Sequence, residues 1–332
     1  MIDNAVHPAD DQTAEALLRA ELARGDAMAD SVLPILQYLL AAEDSALFSD
    51  EILARVRGMV ADMARQIVEQ LFCDSAGPGQ FAEDIEDLSR AFMADSLLLA
   101  HVHALALEWQ MTERLQSRLA LDPVVAPLVQ AMIASAEGTV HGLAVSWLAA
   151  QARWCQAQRR MSLPLEELPG DLLHRVLLAV RGIFGAGKAP LAIRSGETGT
   201  LRDERSERLA LAEAAIRRQY DEGSTRLGLA SRLLTGLGGA SHIALSVSHA
   251  GVALFLTALA SGSGLRREAA VLATHEAQLA RLALALRAAG LKAADIEKQF
   301  LAIHPEAMLP EGFERLGADV AASILASGRQ GG

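Results

Sequence analysis

Aromatic residues and cysteine are scarce in this chain. Aromatics form only 4% of the sequence, so a core has to be filled by leucine, alanine, valine and methionine. The only two cysteines, Cys73 and Cys155, stand apart in apolar runs, which excludes a disulfide framework and favours buried free thiols. Residues 1–12 contain no basic residue and no apolar stretch. A signal peptide is therefore not expected, and we expect a cytoplasmic protein.

The chain also lacks an excess of positive charge. Its formal net charge is −11, so it has no surplus of cations with which to displace counterions from phosphates. Nucleic acid is therefore not expected as a partner, and neither is an anionic membrane.

What the chain has in abundance is alanine and leucine, which together make up about a third of it. They recur at helical spacing from Ala14 to Leu325 and leave no convincing strand. The pattern predicts an all-α protein. We expect an irregular HEAT-like array of antiparallel helical hairpins, in one body or in two helical subdomains.

Glycine, proline and capping residues divide this helical pattern into segments. Gly25 and Asp26 are expected to end a first helix that begins near Thr13, and long helices are expected from about Ala82 to Gln116. Asp122 and Pro123 are expected to open another helix. The division that follows is a disordered tail at 1–12, an N-terminal helical domain at 13–181, a Gly/Ser/Thr-rich linker at 182–204, a C-terminal helical domain at 205–327 and a tail at 328–332.

The longest stretch without a charged residue, histidines aside, lies between Arg232 and Arg266, and Ile243 to Ala260 within it approaches the length of a membrane span. It contains several polar residues and has no basic flank confined to one side, which argues against spanning. We expect the central buried helix of the C-terminal half, with Phe255 inside it.

The segment Gly182 to Ala189 nearly matches the phosphate-binding loop G-x-x-x-x-G-K-[ST]. That loop needs a hydroxyl for Mg²⁺ after its lysine, but Ala189 follows Lys188 here. A helix, not a strand, is also expected before it. We interpret the segment as part of the linker and expect no nucleotide binding at Lys188.

His103, followed by Ala104 and Leu105, has the H-x-L spacing of a phosphoacceptor histidine. Its neighbours are apolar, whereas a phosphoacceptor must be exposed and needs cationic help. His249 faces the same objection. Both are interpreted as core or groove histidines, and the sequence leaves open whether either is functional.

Four pairs come closest to metal-ligand spacing: His242 with His249, His101 with His103, Glu137 with His141, and His275 with Glu276. The first two pairs cannot chelate one ion from one helix, and the other two supply too few ligands. Ser246, Ser248 and the cysteines have no base visible beside them. No catalytic, cofactor-binding or metal-binding residue is therefore predicted.

Arg287 to Phe300 has the helix, glycine turn and helix of a DNA-reading unit. The second helix, however, offers Asp295 and Glu297 beside Lys298, whereas a recognition helix needs donors for bases and phosphates. A plain pair of antiparallel helices is expected.

The C-terminal half resembles a bacterial family of helical proteins, the domain of unknown function 2336. Four stretches carry the resemblance: Leu254 to Ala260 (LFLTALA), Ser261 to Gly264 (SGSG), Leu265 to Leu272 (LRREAAVL) and Ala280 to Leu291 (ARLALALRAAGL). Together they cover a helix, a short glycine joint, a second helix and an R-A-A-G-L ending. The resemblance implies a HEAT-like helical array and brings no catalytic residues with it.

These observations favour a non-enzymatic helical scaffold or adaptor that binds a protein partner, or a second copy of itself, along a groove or a dimer face. The alternative is a regulatory or signalling module with a small-ligand or phosphoryl input. An exposed apolar stripe would favour the adaptor, and a polar pocket with converging histidine and arginine would favour the ligand module.

Overall fold

The computed structural model describes residues 8–41, 50–72, 81–135, 138–185 and 199–328, and every regular element in these ranges is helical. The α-helices are α1 (Pro8–Ala41), α2 (Asp50–Phe72), α3 (Ala82–Ala94), α4 (Ser96–Leu119), α5 (Pro127–Ala134), α6 (Thr139–Arg159), α7 (Gly170–Gly185), α8 (Gly199–Gln219), α9 (Arg226–Leu237), α10 (Val247–Ser263), α11 (Arg267–Ala273), α12 (Leu279–Ala288), α13 (Ala293–Ile303) and α14 (Ala318–Gly328). Short 3-10 helices lie at Leu165–Glu167, Glu222–Ser224, Gly238–Leu245, Glu276–Gln278 and Phe313–Arg315. The all-α prediction is confirmed, and the HEAT-like arrangement stays a prediction.

Contacts within the chain group its residues into two compact units. Unit 1 comprises Met1–Pro34, Leu107–Leu148 and Ala230–Gly332, and unit 2 comprises Ile35–Ala106 and Ala149–Leu229. This division differs from the expected domains at 13–181 and 205–327, because each unit takes residues from both sides of 182–204. Packing between helices far apart in the chain decides the grouping, and a local pattern carries no information about it.

The expected linker and tails are partly helical. Residues 182–185 complete α7 and residues 199–204 open α8, so the linker expected at 182–204 is helical at both ends. Residues 8–12 belong to α1 instead of to a disordered tail, and α14 continues to Gly328. The rest of the expected linker, including Lys188, and Cys73 lie outside the described residues.

Gly25 does not end a helix, as expected from sequence, but lies inside α1. A Cβ at this position would lie 2.7 Å from Oε1 of Gln278, whose Nε2 donates a hydrogen bond to the Gly25 carbonyl. Beside it, Asp26 forms an ion pair with Arg281. Another side chain therefore approaches the backbone closely here, and a larger residue would require Gln278 to shift.

Asp95 separates two helices, α3 and α4, within the helical stretch expected at 82–116. Its Oδ1 accepts hydrogen bonds from the backbone N–H groups of Leu97 and Leu98, each at 3.1 Å, and so caps α4. One other expected boundary differs. Asp122 forms a turn with the next backbone N–H groups, and α5 begins only at Pro127.

Unit 1 has α10 at its centre. α10 packs against α5, α11, α12 and α13, and Leu254, Phe255 and Leu256 are fully buried in it. The expected central helix is therefore confirmed, although its first expected residues belong to the 3-10 helix at Gly238–Leu245. Gly251 interrupts α10 with a φ of 74°, a conformation that favours glycine. Among the described residues, no single helix is both long and apolar enough to cross a membrane.

Unit 2 is built around contacts of α2 with α3 and α8, and of α7 with α3 and α8. Val56, Met59, Leu88, Phe92 and Val176 are buried in its core. These positions recur at helical spacing along their own helices, which is the apolar face that the sequence pattern predicts.

Candidate functional site

The first candidate site is a pocket of about 370 Å³ in unit 1, called here the polar pocket. It lies among α9, the 3-10 helix at Gly238–Leu245, α10 and the end of α12. Its apolar lining includes Leu234, Leu245, Ala258 and Ala289. Its polar lining consists of five hydroxyl side chains and one imidazole: Ser231, Thr235, Ser241, Thr257, Ser261 and His242.

A buried ion pair orients one of these hydroxyls. Glu108 on α4 is fully buried and lies 2.8 Å from Nη2 of Arg267 on α11, which is itself only 15% exposed. Nη1 of Arg267 donates a hydrogen bond of 2.7 Å to Oγ1 of Thr257, and that hydroxyl donates to the carbonyl of Ala253 at 2.8 Å. The hydroxyl hydrogen of Thr257 is thus used in the hydrogen bond to the backbone, and the hydroxyl oxygen of Thr257 accepts from the guanidinium of Arg267.

The imidazole of the polar pocket has a defined tautomer. Nδ1 of His242 lies 3.0 Å from the carbonyl oxygen of Gly239, and a carbonyl can only accept, so Nδ1 carries the proton. Nε2 is then the ring nitrogen left for a ligand. The hydroxyls of Ser231, Ser241 and Ser261 make no hydrogen bond to any residue in the described ranges.

The second candidate site is an apolar groove of about 620 Å³, also in unit 1. It runs between α1 and the start of α12. Its apolar lining comprises Leu17, Leu18, Met28, Leu279, Ala280, Ala283, Phe300, Met308, Leu309 and Pro310, and its charged lining comprises Glu21, Arg24 and Glu276. Glu21 and Arg24 form an ion pair at 2.6 Å.

One end of this groove adjoins a half-buried histidine, His304. Its Nε2 lies 2.7 Å from the carbonyl oxygen of Thr274 and donates to it. Burial lowers the pKa of His304 below its ordinary 6.5, the hydrogen bond to Thr274 raises it, and the nearby charge of Arg114 lowers it again. His304 is therefore held mainly as a neutral ring near neutral pH.

Unit 2 contains a buried cation of its own. The guanidinium of Arg226, only 1% exposed, lies 4.0 Å from the centre of the Trp154 ring, and its Nη1 lies 3.4 Å from Oε1 of Gln151. The backbone N–H of Arg226 donates to Oε2 of Glu167 at 2.9 Å. The arrangement ties α6 to α9.

The two histidines considered for phosphotransfer lie in different surroundings. His103 is 7% exposed on α4, too buried to accept a phosphoryl group from another protein. His249 is partly exposed on α10. Of the metal-ligand pairs, His101 is buried, Nδ1 of His141 lies 2.8 Å from the carbonyl of Ile133, and Glu137 lies outside the described residues.

The other sequence motifs also meet no reactive partner. Within the described ranges, no group of three or more histidine, cysteine or acidic side chains could hold a metal ion. Oγ of Ser246 lies 3.3 Å from Oγ of Ser248, a contact between two hydroxyls without a base. Cys155 is a buried free thiol.

The segment that resembled a DNA-reading unit packs into unit 1. On α13, Ile296 is fully buried, and Oε1 of Gln299 accepts a hydrogen bond of 2.9 Å from the backbone N–H of Val247. Asp295 pairs with Lys298 at 2.8 Å. The second helix therefore uses one face for packing and carries a paired, not cationic, outer face.

Sequence reasoning missed the residues that build the polar pocket. Thr257 and Arg267 were not singled out, because nothing in the local pattern shows that they meet. One signal was available: Glu108 is the only charged residue between Ser96 and Thr112, an apolar helical run, and a buried carboxylate requires a partner.

Comparisons with models of protein families, with curated proteins and with solved structures found no match to this chain. The resemblance to the domain of unknown function 2336 stays a prediction. The case for a function therefore rests on the polar pocket and the apolar groove.

Proposed function

We propose that the protein is a non-enzymatic binding module whose apolar groove receives a basic amphipathic helix of a protein partner. The observation that carries the proposal is the groove itself, an open apolar cleft of about 620 Å³ beside α1. The groove lining contains no serine, threonine, cysteine or histidine, so it offers neither a nucleophilic hydroxyl or thiol nor an imidazole base, and this supports a binding role over a catalytic one. The buried free thiol of Cys155 supports a cytoplasmic location.

The groove exposes large apolar side chains at its edges. Met308 is 89% exposed and Leu17 is 47% exposed, while Leu18, Ala283 and Phe300 form a buried floor. Exposed apolar surface rimmed by charge is typical of interaction sites. Methionine suits such a site because its unbranched, polarisable side chain adapts to different apolar surfaces.

The form of the groove favours a helical occupant. One wall is α1 and the other is the start of α12, and an amphipathic helix binds such a cleft by inserting side chains spaced three and four residues apart. The α1 wall is anchored to the 3-10 helix and to α12 by Gln278, which donates to the carbonyl of Gly25, and by the ion pair of Asp26 with Arg281.

Charge favours a basic occupant. α1 carries six acidic residues and only two arginines, Arg19 and Arg24, both of which pair with glutamates of the same helix. The whole chain carries a formal charge of −11. Such a field attracts cationic partners and speeds their association at low ionic strength.

The test uses two matched peptides of about 16 residues, long enough to form a helix. Both have one Leu/Ala face, and the opposite face carries lysine in one and glutamate in the other. Fluorescence anisotropy of labelled peptides measures binding to the full chain. We expect saturable binding of the lysine peptide and at least about tenfold weaker binding of the glutamate peptide.

Two substitutions locate the binding on the groove. Met308→Asp and Leu17→Asp should each lower the affinity for the lysine peptide by about tenfold or more, because each places a carboxylate on the apolar contact surface. Leu301→Asp is the matched control, since Leu301 is 68% exposed on α13 and does not line the groove. Equal binding of both peptides, or equal loss in the control, would contradict the proposal.

Sedimentation of the protein alone tests a different occupant. Should the free chain form a dimer that Met308→Asp dissociates and Leu301→Asp leaves intact, the groove is occupied by a second copy. The basic-helix proposal would then be wrong.

A further inference from the structure

We propose that the polar pocket binds a small, uncharged, polyhydroxylated molecule of about the size of a monosaccharide. This inference concerns a different site from the apolar groove and does not depend on the function proposed for it. It rests on the size of the pocket, on its hydrogen-bonding groups, on the absence of charge in its lining, and on the buried ion pair that orients Thr257.

The size of the pocket suits such a ligand. Its volume of about 370 Å³ corresponds to roughly twelve water molecules at ~30 Å³ each. Ligand pockets in proteins span about 300–1,000 Å³, so this pocket lies at the small end of that range. No phenylalanine, tyrosine or tryptophan lines it, so the His242 imidazole is the one aromatic ring in its lining, and a flat base or ring system would find little stacking surface.

The lining offers acceptors and adaptable hydroxyls. The Thr257 hydroxyl donates to Ala253 and can only accept from a ligand, and Nε2 is the ring nitrogen of His242 that is left for one. The hydroxyls of Ser231, Ser241 and Ser261, which have no partner among the described residues, can donate or accept. A ligand rich in O–H groups satisfies acceptors and hydroxyls together.

The lining carries no carboxylate, ammonium or guanidinium group. A charged ligand entering this pocket would lose hydration without gaining an opposite charge, which is unfavourable. A neutral ligand avoids that penalty.

The ion pair behind the pocket is the observation that distinguishes it from an ordinary surface cleft. Burying Glu108 and Arg267 is expensive, and apolar residues of similar volume would often give equal or greater stability. The pair nevertheless lies directly behind a hydroxyl of the pocket and holds it in one orientation at 2.7 Å. The orientation of a hydroxyl for ligand recognition explains the buried pair, whereas stability alone does not.

The experiment measures binding of D-glucose and myo-inositol to the full chain by saturation-transfer NMR and calorimetry. Their charged relatives, D-gluconate and D-glucosamine, serve as the comparison. We expect the neutral compounds to bind saturably and the charged ones to bind at least about tenfold more weakly, equivalent to one decade in Kd.

Three variants place that binding in the polar pocket. Ser261→Leu fills the pocket and should abolish binding, and Thr257→Val should weaken it about tenfold while Thr257→Ser retains it. Ser248→Leu is the matched control, because Ser248 is an exposed serine of the same unit outside the pocket. Circular dichroism and thermal melting of each variant show that the fold is retained.

Several results would overturn the inference. The first is that neither neutral compound binds saturably. The second is that the charged relatives bind as tightly as the neutral compounds. The third is that Ser261→Leu still binds the neutral compounds. Rescue by Thr257→Ser is the readout that a merely structural role of Thr257 would not produce. A failure of peptide binding at the apolar groove would not contradict this inference. A failure of polyol binding at the polar pocket would likewise not contradict the function proposed for the groove.

Discussion

The buried pair of Glu108 and Arg267 allows a prediction in which each single substitution is far more destabilising than the double substitution. Glu108 is fully buried and Arg267 is 15% exposed, so removal of either one leaves an unpaired charge inside unit 1. Glu108→Leu and Arg267→Met should each lower the free energy of unfolding by about 3–5 kcal/mol. The double variant replaces both charges by apolar side chains and should lie within about 1–2 kcal/mol of the original chain.

Urea unfolding followed by far-ultraviolet circular dichroism measures these differences, provided that the dependence on urea is the same for all four proteins. The expected non-additivity is roughly 4 kcal/mol or more, because neither single loss is the net contribution of the pair. A double variant destabilised by the sum of the single losses would refute this reasoning. The double variant should fold normally, because its stability is close to that of the original chain. It should bind the neutral polyol more weakly, because it lacks the guanidinium that faces Thr257.

Three further predictions concern single side chains. Phe255→Ala should lower the free energy of unfolding by about 3–5 kcal/mol in urea, because Phe255 is fully buried. Because the pKa of His304 is lowered in the folded chain, the unfolded chain binds more protons than the folded one, and stability should fall as pH drops through about 6.5. His304→Gln keeps a donor for the Thr274 carbonyl and should reduce that fall. Thermal melting at a series of pH values measures the difference. Burial raises the pKa of Tyr220 to about 12, so stability should decline between about pH 10 and 12. Tyr220→Phe should flatten that decline. The variant should also be about 1 kcal/mol less stable at neutral pH, because it lacks the hydrogen bond from Tyr220 to the Leu168 carbonyl.

Helix positions could be predicted where the apolar period is strong and a cap marks the end. The charge-free stretch around Phe255 forms a buried helix as expected. The failures have a common cause. Gly25 was interpreted from its own propensity, whereas its role is set by Gln278, more than two hundred residues away. Tertiary contact overrides local preference at such positions.

The polar pocket could not be predicted because its residues belong to segments that no local period connects. Ser231 and Thr257 lie on two different helices and Ala289 directly follows a third, and Arg267 reaches Thr257 only because α11 turns back beside α10. Of the histidines, His242 was considered only as a metal ligand, although its position in a glycine-rich joint makes it a pocket residue instead. Composition indicated the fold class, and only the packing reveals the site.

The interleaved make-up of the two units has a consequence for how the chain is completed during synthesis. Every segment of unit 2 has been translated once residue 229 is made, whereas unit 1 still needs Ala230–Gly332, the stretch that contains α10 and most of its packing partners. At typical rates of about 5–20 residues per second, the earlier segments of unit 1 wait for roughly 5–20 seconds for that stretch. During this interval the part of α1 that belongs to unit 1, up to Pro34, lacks its contacts with Gln278 and Arg281. A cut anywhere in 182–204 would divide both units, since neither fragment would hold a complete one.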